Sequence, residues 1–340
     1  MNNIKAVDIA KKLGISKATV SLALNDKPGV NEKTKQKILQ CKKELEAQEY
    51  RLVRKRQNGK MIKIIFHKLD ADNGWGKEME FPSKVMAAFN YEAAKDGYAL
   101  SISYYTRQPE AVKMLTEECM SDNVAGVIVQ GTQMFKEDAQ LLKGINKPMV
   151  IYDNDFDTED HHCVVIDNRK GVYKALDYLK KHHIEDIVYL TNQTSEYNFL
   201  ERRKGFLEYY FNKGQNPIKE DKMWEVGLDV DTTCNNLEKY LQKFSLPKAF
   251  ITESYQITLA LVQVLKKNGI RIPEDISIIG IDEVPSFYAG GMELTAIKIP
   301  HEERAVMAMD LLKKEISEPP QIKSRVMTNC ILLEGESVKK

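Results

Sequence analysis

Apolar positions in the first 46 residues recur at the spacing of three short helices. The first helix has apolar residues at positions 6, 9, 10 and 13 and ends at Gly14, a residue that tolerates positive φ. The Ser16 hydroxyl is placed to cap a second helix, and Asn31 is placed to cap a third. The inner positions 34, 38, 41 and 45 of the third helix close a small core over the other two. This pattern predicts an all-α helix-turn-helix head.

From Met61 onward, short apolar runs alternate with amphipathic helices, which is typical of βαβ units and parallel sheets. Two successive series of such units predict an α/β body of two lobes, with helices on both faces of each sheet. The first strands are expected at 61–66, 98–105, 125–131 and 148–154, and the second at 163–168, 186–192, 248–254 and 275–282.

The predicted organisation is a head at 1–46, a linker at 47–60 and a body at 61–340. We expect lobe 1 to contain about 61–162 plus 294–323, and lobe 2 to contain about 163–293 plus 324–340. The linker is strongly charged and has no apolar face, so it is not expected to fold alone.

Charge is distributed unevenly, although the formal net charge of the whole chain is only +1. Residues 1–60 hold 15 basic and 6 acidic side chains, about +9, which leaves the rest at about −8. A basic head on an acidic body is suited to binding a polyanion such as duplex DNA, because the head attracts the DNA and the acidic body does not.

Other features exclude several classes of protein and site. The five cysteines lie far apart, without the spacing of a zinc site, and the paired histidines at 161–162 and 182–183 lack a third ligand. No apolar run reaches the roughly 18 residues of a membrane span, and the N-terminus has no signal-peptide core, which predicts a cytoplasmic protein with no membrane partner. No catalytic or nucleotide-binding motif occurs in a strand-helix context, so we expect no cofactor, no metal and no enzymatic activity.

The second helix of a helix-turn-helix enters the major groove of DNA. Near its start, Lys17 is suited to guanine, and Ala18 and Leu22 are suited to apolar contact with a thymine methyl group. Short polar side chains in and after this helix are suited to phosphate contacts, namely Thr19, Ser21, Asn25 and Thr34.

Open α/β sheets bind ligands beyond the carboxyl ends of their strands. Asp70, Asp153, Ser254 and Asp282 follow or end apolar strands, where their oxygens are suited to the hydroxyl groups of a ligand. Arg202 offers a fork of donors to a carboxylate, a phosphate or two hydroxyls, and Phe81 is an aromatic candidate for stacking on a ring.

The stretch VDIAKKLGISKATVSLALNDKPGVNEKTKQKI resembles the start of the LacI/GalR family of bacterial repressors. The resemblance implies that the second helix contacts the major groove and that two heads bind a near-palindromic operator. It also implies that a sensor domain tunes DNA affinity. Leu22 stands where family members commonly carry Arg, so one guanine contact of the family is not expected here.

The linker departs further from the family pattern. Members usually carry Pro-Asn and then Ala-Arg-x-Leu in a hinge helix whose Leu inserts into the minor groove; this chain has neither motif. Two alternatives remain: Leu52 inserts between base pairs, or the basic residues Arg51, Arg54 and Arg56 contact phosphates or a narrow minor groove. We favour the electrostatic alternative.

The body also resembles that family, whose core is periplasmic-binding-protein-like. The matching motifs are Asp167-Asn168-x-x-Gly171, Arg202-x-x-Gly205-Phe206, IPEDISIIGIDEVP at 272–285 and LTAIKIPHEE at 294–303. By this resemblance Arg202 and Asp282 bind the effector. The family's usual Asn-Asp appears as Ser254-Tyr255, and its Asn-Pro-Phe-Phe appears as Glu80-Phe81-Pro82-Ser83, so its sugar specificity does not carry over.

The sequence therefore predicts a homodimeric DNA-binding regulator, a repressor, whose operator affinity is controlled by a sugar-like molecule bound between the lobes. Two alternatives stay open. The same fold is compatible with control by a co-repressor or a partner protein, and the body alone is compatible with a solute-binding protein that does not contact DNA.

Overall fold

A computed structural model describes most of the chain. The backbone alone is described at residues 8, 46–56, 81–83, 140 and 141. The predicted effector residue Asp70 lies outside the described residues. The described ranges are 6–25, 27–56, 59–67, 81–156, 160–192, 194–211 and 222–340.

The head has the three helices that the sequence predicts: α1 (Ala6–Leu13), α2 (Lys17–Leu24) and α3 (Glu32–Arg56). Gly14 has a φ of +65°, which permits the sharp turn after α1. The Ser16 hydroxyl accepts a hydrogen bond from the backbone N–H of Thr19 at 3.0 Å, as an N-cap does. The buried core of the head is small and apolar and contains Ile9, Ala10, Val20, Ala23, Ile38 and Cys41.

Helix α3 continues through much of the predicted linker and ends only at Arg56. The third helix is therefore longer than predicted, because residues 47–56 of the predicted linker continue it. Its composition explains the difference, because Ala, Gln, Glu, Leu, Arg and Lys favour helix, and Gly59 is the first glycine after Gly29. A helix already nucleated in the head extends at little cost, even where an isolated peptide would not fold.

The first lobe is built on a six-stranded sheet with the order β11-β5-β4-β3-β1-β2, and all its strand pairs are parallel. Its strands are β1 (Met61–His67), β2 (Ala99–Tyr105), β3 (Val124–Gln130), β4 (Met149–Tyr152), β5 (His162–Ile166) and β11 (Arg325–Thr328). Its helices are α4 (Phe81–Lys95), α5 (Pro109–Met120), α6 (Ala139–Leu142) and α11 (His301–Ser317).

The second lobe is built on a sheet with the order β12-β10-β9-β8-β6-β7, which is parallel except for the pair β10 and β12. Its strands are β6 (Ile187–Thr191), β7 (Met223–Glu225), β8 (Ala249–Thr252), β9 (Ser277–Ile281), β10 (Ala296–Lys298) and β12 (Ile331–Leu333). Its helices are α7 (Asn168–Lys181), α8 (Tyr197–Phe211), α9 (Val230–Lys243) and α10 (Tyr255–Lys267).

Alternate residues of each strand pack into different cores, so both sheets are covered on both faces. In β8, Ile251 belongs to the core that includes residues of α7 and α8, whereas Phe250 belongs to the core that includes residues of α10. In β3, Val127 and Ile128 divide in the same way between two cores of the first lobe. The predicted α/β fold class is confirmed.

Three strands belong to a different sheet from the one predicted. β5 and β11 were expected in the second lobe but pair with strands of the first, whereas β10 was expected in the first lobe and pairs with β9 of the second. The chain therefore passes between the lobes after β5, after β10 and after β11. For β5, which is buried along its whole length, the pattern has no polar face that would assign it to one sheet, and β10 and β11 have only three and four residues.

Among the helices of the described residues, none combines the length and the apolar character that crossing a bilayer requires.

Candidate functional site

Helix α2 presents a polar face to solvent, because its apolar residues Val20 and Ala23 are buried in the head core. Lys17, Ala18 and Ser21, three of the residues predicted to contact DNA, are exposed on this helix. Leu22 is half-buried, and its Cδ1 lies beside the backbone of Gly29, in the segment that leads to α3. Leu22 therefore has a packing role in addition to the apolar DNA contact predicted for it.

The predicted phosphate donors already make local hydrogen bonds. The Thr19 hydroxyl lies 2.8 Å from the Ser16 hydroxyl, and the Asn25 side-chain amide donates to the carbonyl of Ser21 at 2.9 Å. Thr34 is half-buried, and its backbone N–H donates to the Asn31 side chain at 2.8 Å. The Asn25 amide has a second N–H for a phosphate besides the one that bonds to the Ser21 carbonyl, and the Ser21 hydroxyl has only a long contact of 3.4 Å with that amide.

The backbone of α3 places the predicted linker residues on two neighbouring faces. Arg51 and Arg54 are three positions apart and share one face, and Leu52 and Arg56 are four positions apart and share the next. These residues are in one continuous helix with the head.

Polar residues of both lobes meet at the carboxyl ends of the strands, in a region that we call the inter-lobe face. It consists of Asp153 after β4, Glu253 after β8, Asp282 after β9, and the residues at the starts of α7, α8 and α11 that contact them. Asp153 and Asp282 have φ values of +73° and +76°, a strained conformation for residues other than glycine. Such strain at strand ends is common where a fold positions side chains for binding.

Asp153 is held by a buried ion pair. Its carboxylate accepts a hydrogen bond from Arg304 on α11, which is 0% exposed, and another from the Thr132 hydroxyl at 2.9 Å. Burial by itself raises the pKa of Asp153, but the charges of Arg304 and His301 outweigh it and bring the pKa below its ordinary value. Asp153 is therefore ionised at neutral pH and fixed in position.

Arg202 is 6% exposed, and its side chain is hydrogen-bonded to other residues of the protein. Its Nε donates to the Asn168 side chain at 2.9 Å, and its Nη1 donates to the carbonyl of Glu253 at 2.7 Å. Asn168 in turn donates to the Asn198 side chain at 2.7 Å, and Asn198 donates to the carbonyl of Asp153 at 3.3 Å. A chain of hydrogen bonds thus runs from Arg202 in the second lobe to Asp153 in the first.

Asp282 makes a second contact between the lobes. Its carboxylate lies 3.2 Å from Nε2 of His301, the first residue of α11 in the first lobe. Ser254 has a more local role, because its hydroxyl accepts a hydrogen bond from the N–H of Ile257 at 3.4 Å and caps α10. Phe81 begins α4, but its side chain is outside the described part of the structure.

Four further residues of the inter-lobe face were not predicted from the sequence, namely Glu196, Asn198, Glu253 and Arg304. Glu253 directly follows a strand, so it meets the same criterion by which Ser254 was predicted. Arg304 gave no such signal, because a charged residue in an amphipathic helix is expected at the surface. The start of α8 likewise gave no indication that Glu196 and Asn198 reach the other lobe.

Two of these missed carboxyls have strongly raised pKa values. Burial, with a smaller contribution from the charge of Asp153, raises the pKa of Glu196 to about 7. Burial also raises the pKa of Glu253 to about 7, although Arg203 and hydrogen bonds from Asn192 and Thr191 oppose the shift. Shifts of this size are concentrated at functional sites.

Among the described residues, no group of three or more His, Cys, Asp and Glu side chains is arranged so that it could hold a metal ion. Buried His162 has another role. Its Nδ1 accepts a hydrogen bond from the N–H of Ser324, and its Nε2 lies 2.9 Å from the Glu315 carboxylate.

Two family models match the chain. The model described as "Bacterial regulatory proteins, lacI family" matches residues 5–47, and the model described as "Periplasmic binding protein-like domain" matches residues 176–338. The chain belongs to the lacI family of bacterial regulatory proteins. The alternative of a solute-binding protein without a DNA-binding head is therefore wrong.

Relatives agree with this assignment. The transcriptional repressor PurR of Actinobacillus pleuropneumoniae serotype 3 (strain JL03) is 25% identical over 312 residues, which cover 91% of this chain and 90% of that protein. This lacI-family chain is a DNA-binding transcriptional regulator and not an enzyme.

Solved structures confirm the fold. A complex of the transcriptional regulator CelR with cellobiose has a TM-score of 0.70 at 19% identity and covers 97% of this chain and 98% of that one. The lac repressor dimer bound to operator and the anti-inducer ONPF has a TM-score of 0.69 at 20% identity and covers 97% of each chain.

Proposed function

We propose that this lacI-family chain represses transcription in the cytoplasm as a homodimer, and that a sugar or sugar derivative bound between its lobes sets its affinity for operator DNA. The proposal includes the division into a head at 1–46, a linker at 47–60 and a body at 61–340. It assigns β5 and β11 to the first lobe and β10 to the second.

The observation that carries the proposal is that side chains from the two lobes bond to each other at the strand ends. Asn198 of the second lobe donates to Asp153 of the first at 3.3 Å, and His301 of the first lobe contacts Asp282 of the second at 3.2 Å. A ligand placed there alters these bonds and therefore the angle between the lobes. The ligand changes operator binding only if the ligand and the operator each bind the two lobe arrangements with different affinities. The free energy that couples two such sites is commonly about 1 to 3 kcal/mol.

The effector contacts that we propose follow the strand ends. Asp153 and Asp282 accept hydrogen bonds from ligand hydroxyls, and Arg202 positions the carbonyl of Glu253 and the side chain of Asn168 around the ligand. The remaining proposed contacts are Ser254, Asp70 and Phe81. The CelR structure, which this fold resembles, holds cellobiose, and this favours a sugar among polar ligands.

The DNA contacts that we propose are on α2 and on the extension of α3. Lys17, Ala18 and Leu22 contact bases, and the linker residues contact the DNA backbone or the minor groove. Phosphate contacts fix the register of the head on the operator, and the residues proposed for them are Thr19, Ser21, Asn25, Thr34, Arg51, Arg54 and Arg56. The alternative for the linker is that Leu52 inserts between base pairs.

Homodimerisation is supported by exposed apolar side chains on both lobes. Ile102 and Tyr104 on the edge strand β2 are 44% and 61% exposed, and Phe287 of the second lobe is 84% exposed. The lac repressor structure that this fold resembles is a dimer on its operator. A two-fold dimer also matches the two half-sites of a near-palindromic operator.

The function is tested by selecting an operator from random duplex DNA and titrating the protein onto it with and without each sugar of a panel. We expect one sugar to change the operator Kd by about 5- to 150-fold. Asp282→Asn should abolish this response and leave ligand-free operator binding intact, whereas the exposed control Asp310→Asn should change neither. If no sugar changes the Kd and a partner protein does, the proposal of a sugar effector is wrong.

The linker is tested by the salt dependence of operator binding. Replacing Arg54 and Arg56 by Gln should flatten the slope of log K against log salt by about one for each lost phosphate contact. Leu52→Ala should leave that slope unchanged. A loss of affinity in Leu52→Ala, with an unchanged slope in the arginine variant, would instead favour apolar insertion.

A further inference from the structure

We propose that Glu196 forms an acidic subsite between the lobes that binds a protonated amine, so that the effector of this regulator is an amine-bearing small molecule such as an amino sugar. The inference rests on the proposed function and specifies the ligand class of the same site.

Glu196 lies where the start of α8 enters the first lobe. The next residue, Tyr197, packs against the apolar core of the first lobe and accepts a hydrogen bond from Arg325 on β11 at 3.1 Å. The residue after it, Asn198, donates to the carbonyl of Asp153. Glu196 itself is 9% exposed and interacts electrostatically with Asp153 of the first lobe and Glu253 of the second. Its carboxyl therefore lies near charged residues of both lobes.

Glu196 differs from the other carboxyls of the inter-lobe face because no described residue donates a hydrogen bond or forms an ion pair with its carboxylate. Asp153 is paired with Arg304, and Asp282 with His301. Glu253 receives hydrogen bonds from Thr191, Asn192 and Tyr189. A buried carboxylate without a partner is costly, and occupation by a ligand removes that cost.

The three arginine side chains nearby contact other partners. Arg203 donates to the carbonyls of Thr194 and Phe199 and lies 3.3 Å from Glu253. Arg202 donates to Asn168 and to the carbonyl of Glu253. Arg304 is 0% exposed, pairs with Asp153 and lies over the ring of Tyr152, 4.5 Å from its centroid, although its Nε and Nη1 have no hydrogen-bond partner. None of these three guanidinium groups forms an ion pair with Glu196.

A second acceptor near Asp153 also lacks a donor. Gln130, at the end of β3, is 3% exposed and donates to the Thr132 hydroxyl at 2.6 Å, and that hydroxyl donates to Asp153. Its Oε1 has no hydrogen-bond partner. A protonated primary amine has three N–H donors and one positive charge, and therefore supplies the donors and the charge that the carboxylate of Glu196 lacks. A neutral hydroxyl leaves the charge of Glu196 uncompensated, and an anion is repelled by it.

The raised pKa of Glu196, about 7, agrees with this arrangement. The carboxyl lies at the N-terminus of a helix, where the helix dipole favours an anion, yet burial and the nearby charges of Asp153 and Glu253 still disfavour its ionisation. A bound ammonium group restores the balance of charge and lowers that pKa.

The test uses the full-length protein and calorimetric titration with matched ligands. The panel contains glucose, galactose and mannose, each with its 2-amino form, its N-acetylated 2-amino form and its uronate. We expect at least one amino sugar to bind about 10-fold or more tightly than its hydroxyl and N-acetyl counterparts, as a charge-assisted hydrogen bond allows. Glu196→Gln should remove this preference, and Glu196→Asp should weaken but keep it.

Glu185→Gln is the matched control, because Glu185 is an exposed carboxyl of the same lobe, and it should keep the full preference. Melting curves establish that each variant is folded. The inference is overturned if no amino sugar binds, if the hydroxyl, N-acetyl or uronate form binds as tightly or more tightly, or if Glu196→Gln keeps the preference.

Operator titrations with the same ligands separate the two proposals. If a neutral or acidic sugar binds and changes operator affinity, the proposed function stands and the amine subsite is wrong. If an amino sugar binds through Glu196 and leaves operator affinity unchanged, the subsite stands and the proposed control of DNA binding is wrong.

Discussion

The head and the inter-lobe face place their charges in opposite ways. In the head, the buried side chains are apolar and the charged ones, such as Lys17 and the Lys12–Glu44 pair, lie in solvent. At the inter-lobe face, Asp153, Glu253 and Arg304 are buried and held by specific partners. Charges in water contribute little to stability and are available to a polyanion, whereas buried charges are costly unless every partner is present. We therefore expect charge substitutions to affect DNA binding in the head and stability in the body.

The largest effect is expected from Arg304→Met, which leaves the buried Asp153 without its counterion. We expect a loss of about 3 to 5 kcal/mol in the free energy of unfolding of the body, measured by urea denaturation. The double variant Asp153→Asn/Arg304→Met should recover most of this loss. Lys12→Met, which breaks an exposed ion pair in the head, should leave the unfolding curve unchanged. An equal response to Lys12→Met and Arg304→Met would contradict the contrast between the two regions.

The second prediction concerns the apolar core of the head. Ile38 is 0% exposed, and Ile38→Ala should destabilise the head by about 2 to 4 kcal/mol, because a small core cannot refill the cavity. We expect operator binding to be lost while the melting temperature of the body stays the same. Ile322→Ala, at a site that is 80% exposed, is the control and should change neither. Loss of the body's transition in Ile38→Ala would show that head and body do not unfold separately.

The third prediction uses the raised pKa of Glu196. The folded state holds the proton more tightly than the unfolded state, so stability is greatest below the ordinary pKa of 4.5 and falls as pH rises towards about 7. Asp153 and Glu253 reinforce this loss, and Arg202 and Arg203 oppose it. Glu196→Gln should therefore be more stable than the parent at pH 8, on the order of 2 kcal/mol, and this gain should vanish by pH 4. A gain that does not depend on pH would rule out ionisation of Glu196 as its cause.

The smallest effect is expected from Ser16→Ala in the head. Loss of the cap on α2 should cost about 1 kcal/mol, seen as a weaker operator Kd and a lower melting temperature of the head. Ser245→Ala, at an exposed site in the body, should leave both unchanged. If Ser16→Ala weakens operator binding without lowering the melting temperature, the hydroxyl contacts DNA directly instead of acting as a cap.

The local structure of the head and most strands of the body could be predicted from the amino-acid sequence. Gly14 marks a helix end because it adopts a positive φ, and Ser16 and Asn31 mark helix starts because each side chain accepts a hydrogen bond from the backbone N–H three residues later. The predicted strands β1 to β6, β8 and β9 agree with the structure to within about two residues, as long apolar runs allow. The strands β7, β10, β11 and β12 were not predicted: three of them have only three residues, and β11 has four, of which only one is buried.

The sheet that each crossing strand joins and the pairing of the buried charges could not be predicted from the sequence and depend on tertiary packing. Asp153 and Arg304 are 151 positions apart, and the contact between them depends on how α11 packs on β4. Glu196 lies between the lobes because Tyr197 packs into the other lobe's core. Helix caps and periodicity act over a few residues, whereas these contacts arise from the close packing of elements distant in the chain, which no local spacing encodes.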